Sequence, residues 1–193
     1  MYKKQMILQR IVCYALLIAA VLVFIYSLGI VTDLYDSLFP YADSSKRKFV
    51  TGADIYYNIQ PFNKQFTVAG IALILSAVSI FVFNTHKRRK YYVGNYVTVV
   101  LNAAVNVGVS IWALANIMAF RAQYLLIDFA KLKEMADKYD TNYIESTRMF
   151  DLAIPVFVIL LAVTLVSIGN LVFKILLMRA ERKLIMEGAN DDE

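Results

Sequence analysis

Apolar residues in this chain fall into four long uncharged windows separated by charged segments. The windows lie between Arg10 and Asp33, Lys64 and His86, Lys90 and Arg121, and Asp151 and Lys174. A hydrocarbon core about 30 Å thick needs roughly 20 helical residues to cross it, and each window is long enough. A soluble core helix rarely needs so many uncharged residues in a row. The pattern predicts an all-α integral membrane protein, a four-transmembrane-helix bundle forming a single domain over 1–193. The expected spans are approximately 11–32, 66–85, 93–120 and 152–174, with outer segments at approximately 33–64 and 121–151.

Lys3, Lys4 and Arg10 precede the first window, and Ser27 and Gly29 are small enough for a cleavage site, as in a signal peptide. The apolar run exceeds a usual signal core, so a retained signal anchor is expected.

The outer segments are too long to be simple connectors. In the second, Leu125, Phe129, Leu132, Ala136 and Tyr139 recur at spacings of four, three, four and three, a helical stripe. Opposite charges lie between them at helical spacing. No Pro or Gly interrupts Ile111 to Tyr139, so the third span is expected to continue as one helix, reaching about 28 Å beyond the apolar zone at 1.5 Å per residue. Asp140-Thr141-Asn142 should end it. Glu145, three residues after Asn142, is a weak start signal for the next helix, giving an extracellular helical hairpin on the membrane. In the first outer segment, helix is expected to end near Pro40 and a turn to form at Asp43-Ser44-Ser45. Ile55, Tyr56, Tyr57, Ile59 and Phe62 form an aromatic-rich stretch around Pro61. These residues suit the membrane interface, internal packing, or a Tyr-rich partner surface. The candidate outer partner surface is Tyr56, Tyr57, Phe62, Leu125, Phe129 and Leu132.

Charge placement orients the chain. The side bearing both termini carries 11 Lys and Arg and the other side 9. Acidic residues widen the gap, to a net of about +6 against about −1. The short HKRRK stretch at 86–90 is where the positive-inside rule is strongest. Both termini are therefore expected in the cytoplasm, with Lys87, Arg88, Arg89 and Lys90 as an inner anchor against anionic membrane lipids. The same stretch could be read as a nucleic-acid patch, but lipid anchoring explains it and no nucleic-acid partner is expected.

Two features suggest internal organisation. Ile25-Tyr26-Ser27-Leu28 lines up with Ile111-Trp112-Ala113-Leu114 at an offset of 86, and Phe66 with Phe150 at 84. This allows a parallel duplication of a helical hairpin. Within the third span, Asn95, Asn102, Asn106 and Asn116 fall within about 80° of one face at 100° per residue. An amide in hydrocarbon needs a partner. Interhelical hydrogen bonds, a docking face for another subunit, or a solute path would each supply one. Thr164, Ser167 and Asn170 on the fourth span are candidate partners. Ala69, Ala72, Ser76 and Ser79 form a small-residue stripe on the second.

Composition confirms the class and narrows the chemistry. The chain is 60% hydrophobic and 18% charged, with mean hydropathy +0.57, against about 25% charged in soluble domains. One Cys and one His leave little for a metal or Cys/His catalytic site. Cys13 reads as a small hydrophobe and His86 as an interfacial anchor. No phosphate loop, GxSxG or HExxH motif is present. No ionisable residue lies at a span centre, which disfavours proton-coupled transport. No N-x-[ST] sequon occurs, consistent with a bacterial origin. The expectation is a non-catalytic plasma-membrane subunit without cofactor or metal, an accessory or scaffold component of a larger bacterial transporter complex. Its partners would be lipids and other membrane subunits, not small-molecule substrates. The alternative is a small homo-oligomeric channel or carrier using the Asn95/Asn102/Asn106/Asn116 face.

Overall fold

A computed structural model describes residues 2–84 and 94–190. Helix makes up most of the described residues, and no strand occurs among them. The elements are α1 (Tyr2–Leu38), a 3-10 turn (Phe39–Tyr41), α2 (Ile55–Asn58), α3 (Gln60–Asn84), α4 (Gly94–Tyr124), α5 (Phe129–Tyr139), α6 (Arg148–Asp151) and α7 (Ala153–Asn190). Four candidate spans, Lys4–Tyr41, Ile55–Asn84, Asn95–Tyr124 and Arg148–Ile185, are long and apolar enough to cross a membrane. Each covers most or all of one expected span; the first and fourth run further at both ends, the second at its start and the third at its end, while positions 85 and 93 lie outside the described residues. The 37 residues of α1 reach about 55 Å at 1.5 Å per residue, well past a 30 Å hydrocarbon core.

Helix ends follow local chemistry. α1 gives way to the 3-10 turn at Phe39-Pro40-Tyr41, where Pro is tolerated near a helix start. Asp43 closes the expected turn: Lys46 N–H donates to its carbonyl at 3.0 Å and Ser45 N–H to its side chain at 3.0 Å. α3 starts at Gln60, six residues before the expected 66, because Pro61 sits in the first turn, where its missing N–H costs nothing. Asp140 ends α5 in the left-handed conformation, φ 50°, with Thr141 N–H reaching back to the Ala136 carbonyl at 3.0 Å.

Two expectations need correction. The third span does not continue unbroken to Tyr139. α4 stops at Tyr124, where Leu126 and Ile127 N–H fold back onto the Gln123 and Tyr124 carbonyls at 3.0 and 3.2 Å. The Asp128 N–H then bonds to the Thr51 carbonyl at 3.3 Å, while the Asp128 carboxylate caps α5 through Lys131 N–H at 3.0 Å. A cap and a tertiary bond thus replace helix propagation. Nor does helix resume near Glu145; it resumes at Arg148, with the Thr147 hydroxyl donating to Asp151 at 2.7 Å.

The chain divides into two compact units. The first comprises Met1–Ala20, Leu73–Val107 and Leu160–Glu193, the second Val21–Ala72 and Gly108–Ile159. In the second, an aromatic core forms around the fully buried Phe66 ring. Tyr26 of α1, Trp112 of α4 and Phe157 of α7 all lie within 6.4 Å of it, centroid to centroid. Gly70 lets α3 meet α1: a Cβ there would stand 3.1 Å from the Phe24 Cα. The packed face of α3 is therefore Gly70, Leu73, Ala77 and Ile80, all buried, and not the small stripe, in which Ala72 and Ser79 are exposed. Both faces have three-four-three spacing, and their residue types alone do not separate them.

The connecting segments 42–54 and 125–147 interlock within this same unit. The Tyr41 hydroxyl pairs with Thr141, and the Lys48 ammonium sits 4.1 Å from the Tyr139 ring centroid. Gly52, at φ +86°, brings its backbone against Ile127, where a Cβ would lie 3.0 Å from the Ile127 Cα.

Candidate functional site: a buried polar seam

The first unit holds an apolar core crossed by amides and hydroxyls. The Asn102 amide donates to the Ser76 hydroxyl at 2.8 Å, linking α4 to α3. The Asn106 amide donates to the Thr164 hydroxyl of α7 at 2.8 Å and to the Asn102 carbonyl oxygen at 3.1 Å. The Thr164 hydroxyl in turn donates to the Leu160 carbonyl at 2.7 Å. Nearer the chain ends, the Gln5 amide donates to Asn170 at 3.3 Å and Asn170 donates to Gln9, linking α1 to α7. Gln9 also reaches the buried Cys13 sulfur at 3.7 Å.

The expected polar face is thus partly assembled. Asn102, Asn106, Thr164 and Asn170 meet partners across helices, and Asn95 and Ser167 are buried in the same unit. Asn116 is not with them. It lies in the second unit, half-buried, and its amide returns to the Trp112 carbonyl of its own helix at 2.7 Å.

Three seam residues escaped sequence reasoning: Gln5, Gln9 and Lys174. Arg10 and Lys174 bound the charge-free windows, and a lysine at a span end can reach the interface. In the fold Arg10 is exposed while its neighbour Gln9 is buried. Lys174 is 2% exposed and its ammonium stands 5.7 Å from the Tyr96 ring centroid, so it is enclosed rather than stretched to the interface. The spacing Gln5–Gln9–Cys13 was the available signal, since it sets all three on one helical face.

The proposed outer surface divides. Phe62 packs against Phe66, Trp112 and Phe120 at 5.2–5.5 Å between centroids, and Leu132 is fully buried with Ala136 on the inner face of α5. These two are core, because an aromatic or leucine on the apolar stripe is worth more inside. Tyr56 and Phe129 are half-buried, and Tyr57 and Leu125 exposed. Leu125 and Phe129 border a cleft of about 450 Å³ closed by Tyr124, Glu145, Ser146 and Thr147. Tyr124 is buried, and its hydroxyl donates to the Ile144 carbonyl at 2.5 Å. At the end of α6 Asp151 meets Arg121 of α4 at 2.7 Å.

Asp43, on the first connecting segment, is held below the usual carboxylate range by the Ser45 hydroxyl and backbone N–H, with Lys46 adding a smaller pull. Among the described residues no group of three His, Cys, Asp or Glu converges on a metal-sized site. Lys87, Arg88, Arg89 and Lys90 lie outside the described residues, as does His86. No protein-family model matches the chain, and no curated protein or solved structure matches it.

Proposed function

We propose that this chain is a non-catalytic integral membrane subunit, an accessory or scaffold component of a larger bacterial membrane complex concerned with transport. The reading takes the four candidate spans as a bundle in the plasma membrane, with both termini cytoplasmic and the segments 42–54 and 125–147 forming an external helical subdomain. The observation that carries it is that three seam asparagines find partners on neighbouring helices. Asn102, Asn106 and Asn170 spend their amides on Ser76, Thr164 and the two glutamines, which suits helix packing better than water or solute contact. Beyond the end of the third candidate span at Tyr124, Leu125 and Leu126 are 53% and 77% exposed. Two adjacent exposed leucines outside the apolar zone suit a partner surface.

The duplication draws support from the units themselves. Their boundaries, Val21 and Gly108, then Leu73 and Leu160, recur at the same offset of 87. In each half a four-residue helix, α2 or α6, and one non-helical residue, Ile59 or Leu152, precede a long helix.

Purification of a tagged copy from its native membrane in mild detergent tests the reading. A stoichiometric polypeptide should co-purify, and L125N/L126N should release it while the chain still inserts. A free monomer from both preparations would overturn the proposal. The channel alternative draws less support, because Asn116 bonds to its own helix. Solute flux from liposomes that fell in N102L/N106L would favour it.

A further inference from the structure

The first unit carries a charge that its own residues do not balance. Of its described side chains, Lys4, Arg10, Lys174, Arg179, Arg182 and Lys183 are cationic, and Glu181 alone is acidic. Among the described residues neither Arg179 nor Arg182 takes part in an ion pair. The two stand three residues apart on α7 and so share a face.

That face borders a cleft of about 290 Å³, lined by Tyr96 of α4 and by Ile175, Met178, Arg179 and Arg182 of α7. The Tyr96 hydroxyl donates to the Met178 sulfur at 3.1 Å, closing the cleft on its α4 side. Lys174 stands 5.7 Å from the centre of the same Tyr96 ring. The cleft volume is near the lower end of small-ligand sites, about 300–1,000 Å³: enough for a headgroup, small for a larger metabolite. N-terminal to it on the same side of α7, Ile168 and Val172 are exposed apolar side chains. A ligand here meets hydrocarbon-facing surface on one side and two guanidinium groups on the other. Guanidinium forks match phosphate oxygens two at a time, and basic pockets between spanning helices suit anionic headgroups.

We infer that the cleft between Tyr96 and the Arg179/Arg182 face of α7 binds the phosphate of an anionic phospholipid, with its acyl chains along Ile168 and Val172. The chemistry recognised is a phosphate ester at the membrane surface. The inference needs α7 to span the membrane, but it does not depend on the subunit reading.

Native mass spectrometry of the delipidated full chain, titrated with phosphatidylglycerol or phosphatidylcholine, tests it. Wild type should hold one phosphatidylglycerol in strong preference to phosphatidylcholine. R179Q/R182Q should weaken that binding about 30-fold, as for two cations near an anionic surface at ~1 kcal/mol each. K4Q/R10Q removes the same charge from the same unit away from the cleft, and should keep the preference. Equal loss in both variants would reduce the effect to net charge and overturn the inference, as would unchanged binding in R179Q/R182Q. Circular dichroism checks the fold, and if the double variant fails to fold, R182Q alone decides by the same comparison. Inorganic phosphate at millimolar concentration separates the sources. It should neither displace the lipid nor raise the melting temperature, and if it does both the site takes soluble phosphate and the lipid assignment falls.

Discussion

Asn106 on α4 and Thr164 on α7 join across the interior of the first unit by a 2.8 Å hydrogen bond, both side chains 2% exposed. This bond is the point where the seam turns from α4 to α7, and its removal separates packing from any other role of the asparagines. Interhelical hydrogen bonds of this kind contribute about 0.6 kcal/mol on average and up to about 1.7. N106L is expected to lower unfolding stability in detergent by about 1 kcal/mol. N116L, whose amide bonds only to its own helix, should stay within about 0.5 kcal/mol of wild type. Steric-trap or denaturant unfolding measures both. Equal losses would show that the seam contributes nothing specific.

The approach of α3 to α1 gives a sharper contrast between two glycines. At Gly70 an added Cβ would lie 3.1 Å from the Phe24 Cα, whereas at Gly108 nothing lies within 4 Å. G70A should destabilise by about 1–3 kcal/mol, the usual cost of overpacking. G108A should be neutral or stabilising by up to about 1 kcal/mol through helix propensity. Thermal unfolding of the two proteins side by side decides it.

At the break between α4 and α5, the Asp128 carboxylate holds the first turn of α5. D128A should cost about 1 kcal/mol of local stability, seen as faster amide exchange at Leu132 and Ala136 with little change in the long helices. Unchanged exchange would mean that the bond from the Asp128 N–H to Thr51 is the element that matters.

The Asp43 turn has a pH dependence of known sign. Its carboxyl is depressed in the fold by Ser45 and by Lys46, so its contribution is present at neutral pH and lost as pH falls through the folded value. The Ser45 amide resonance should therefore begin to move only in strongly acidic solution, below the range of an ordinary Asp. In S45A that shift should move part of the way back toward the ordinary range, since the backbone N–H and Lys46 remain.

The spans were legible because crossing a bilayer is a one-dimensional requirement: twenty uncharged residues suffice to state it, whatever surrounds them. The stop at Pro40, the turn at Asp43 and the break at Asp140-Thr141-Asn142 were legible for a similar reason, since each is decided by neighbours in sequence. The rest depends on contacts between distant residues. The end of α4 rests on a bond from Asp128 to Thr51, and within 111–139 only Asp128, a residue type that favours helix starts, hints at it. The packed face of α3 differs from the expected one by a single step, and only the position of Phe24 chooses between them. Gln9 and Lys174 were missed because windows drawn between charges treat a helix as a line, while Arg10 and Gln9 stand about 100° apart around it, one exposed and one buried.

Cys13, the sole thiol of the chain, is fully buried on α1. Its burial makes the wild-type protein a silent background for thiol-labelling reagents. Single cysteines at exposed Ser44 and Leu184 would then report sidedness directly. A membrane-impermeant maleimide added to intact cells should modify S44C and leave L184C untouched until the membrane is opened.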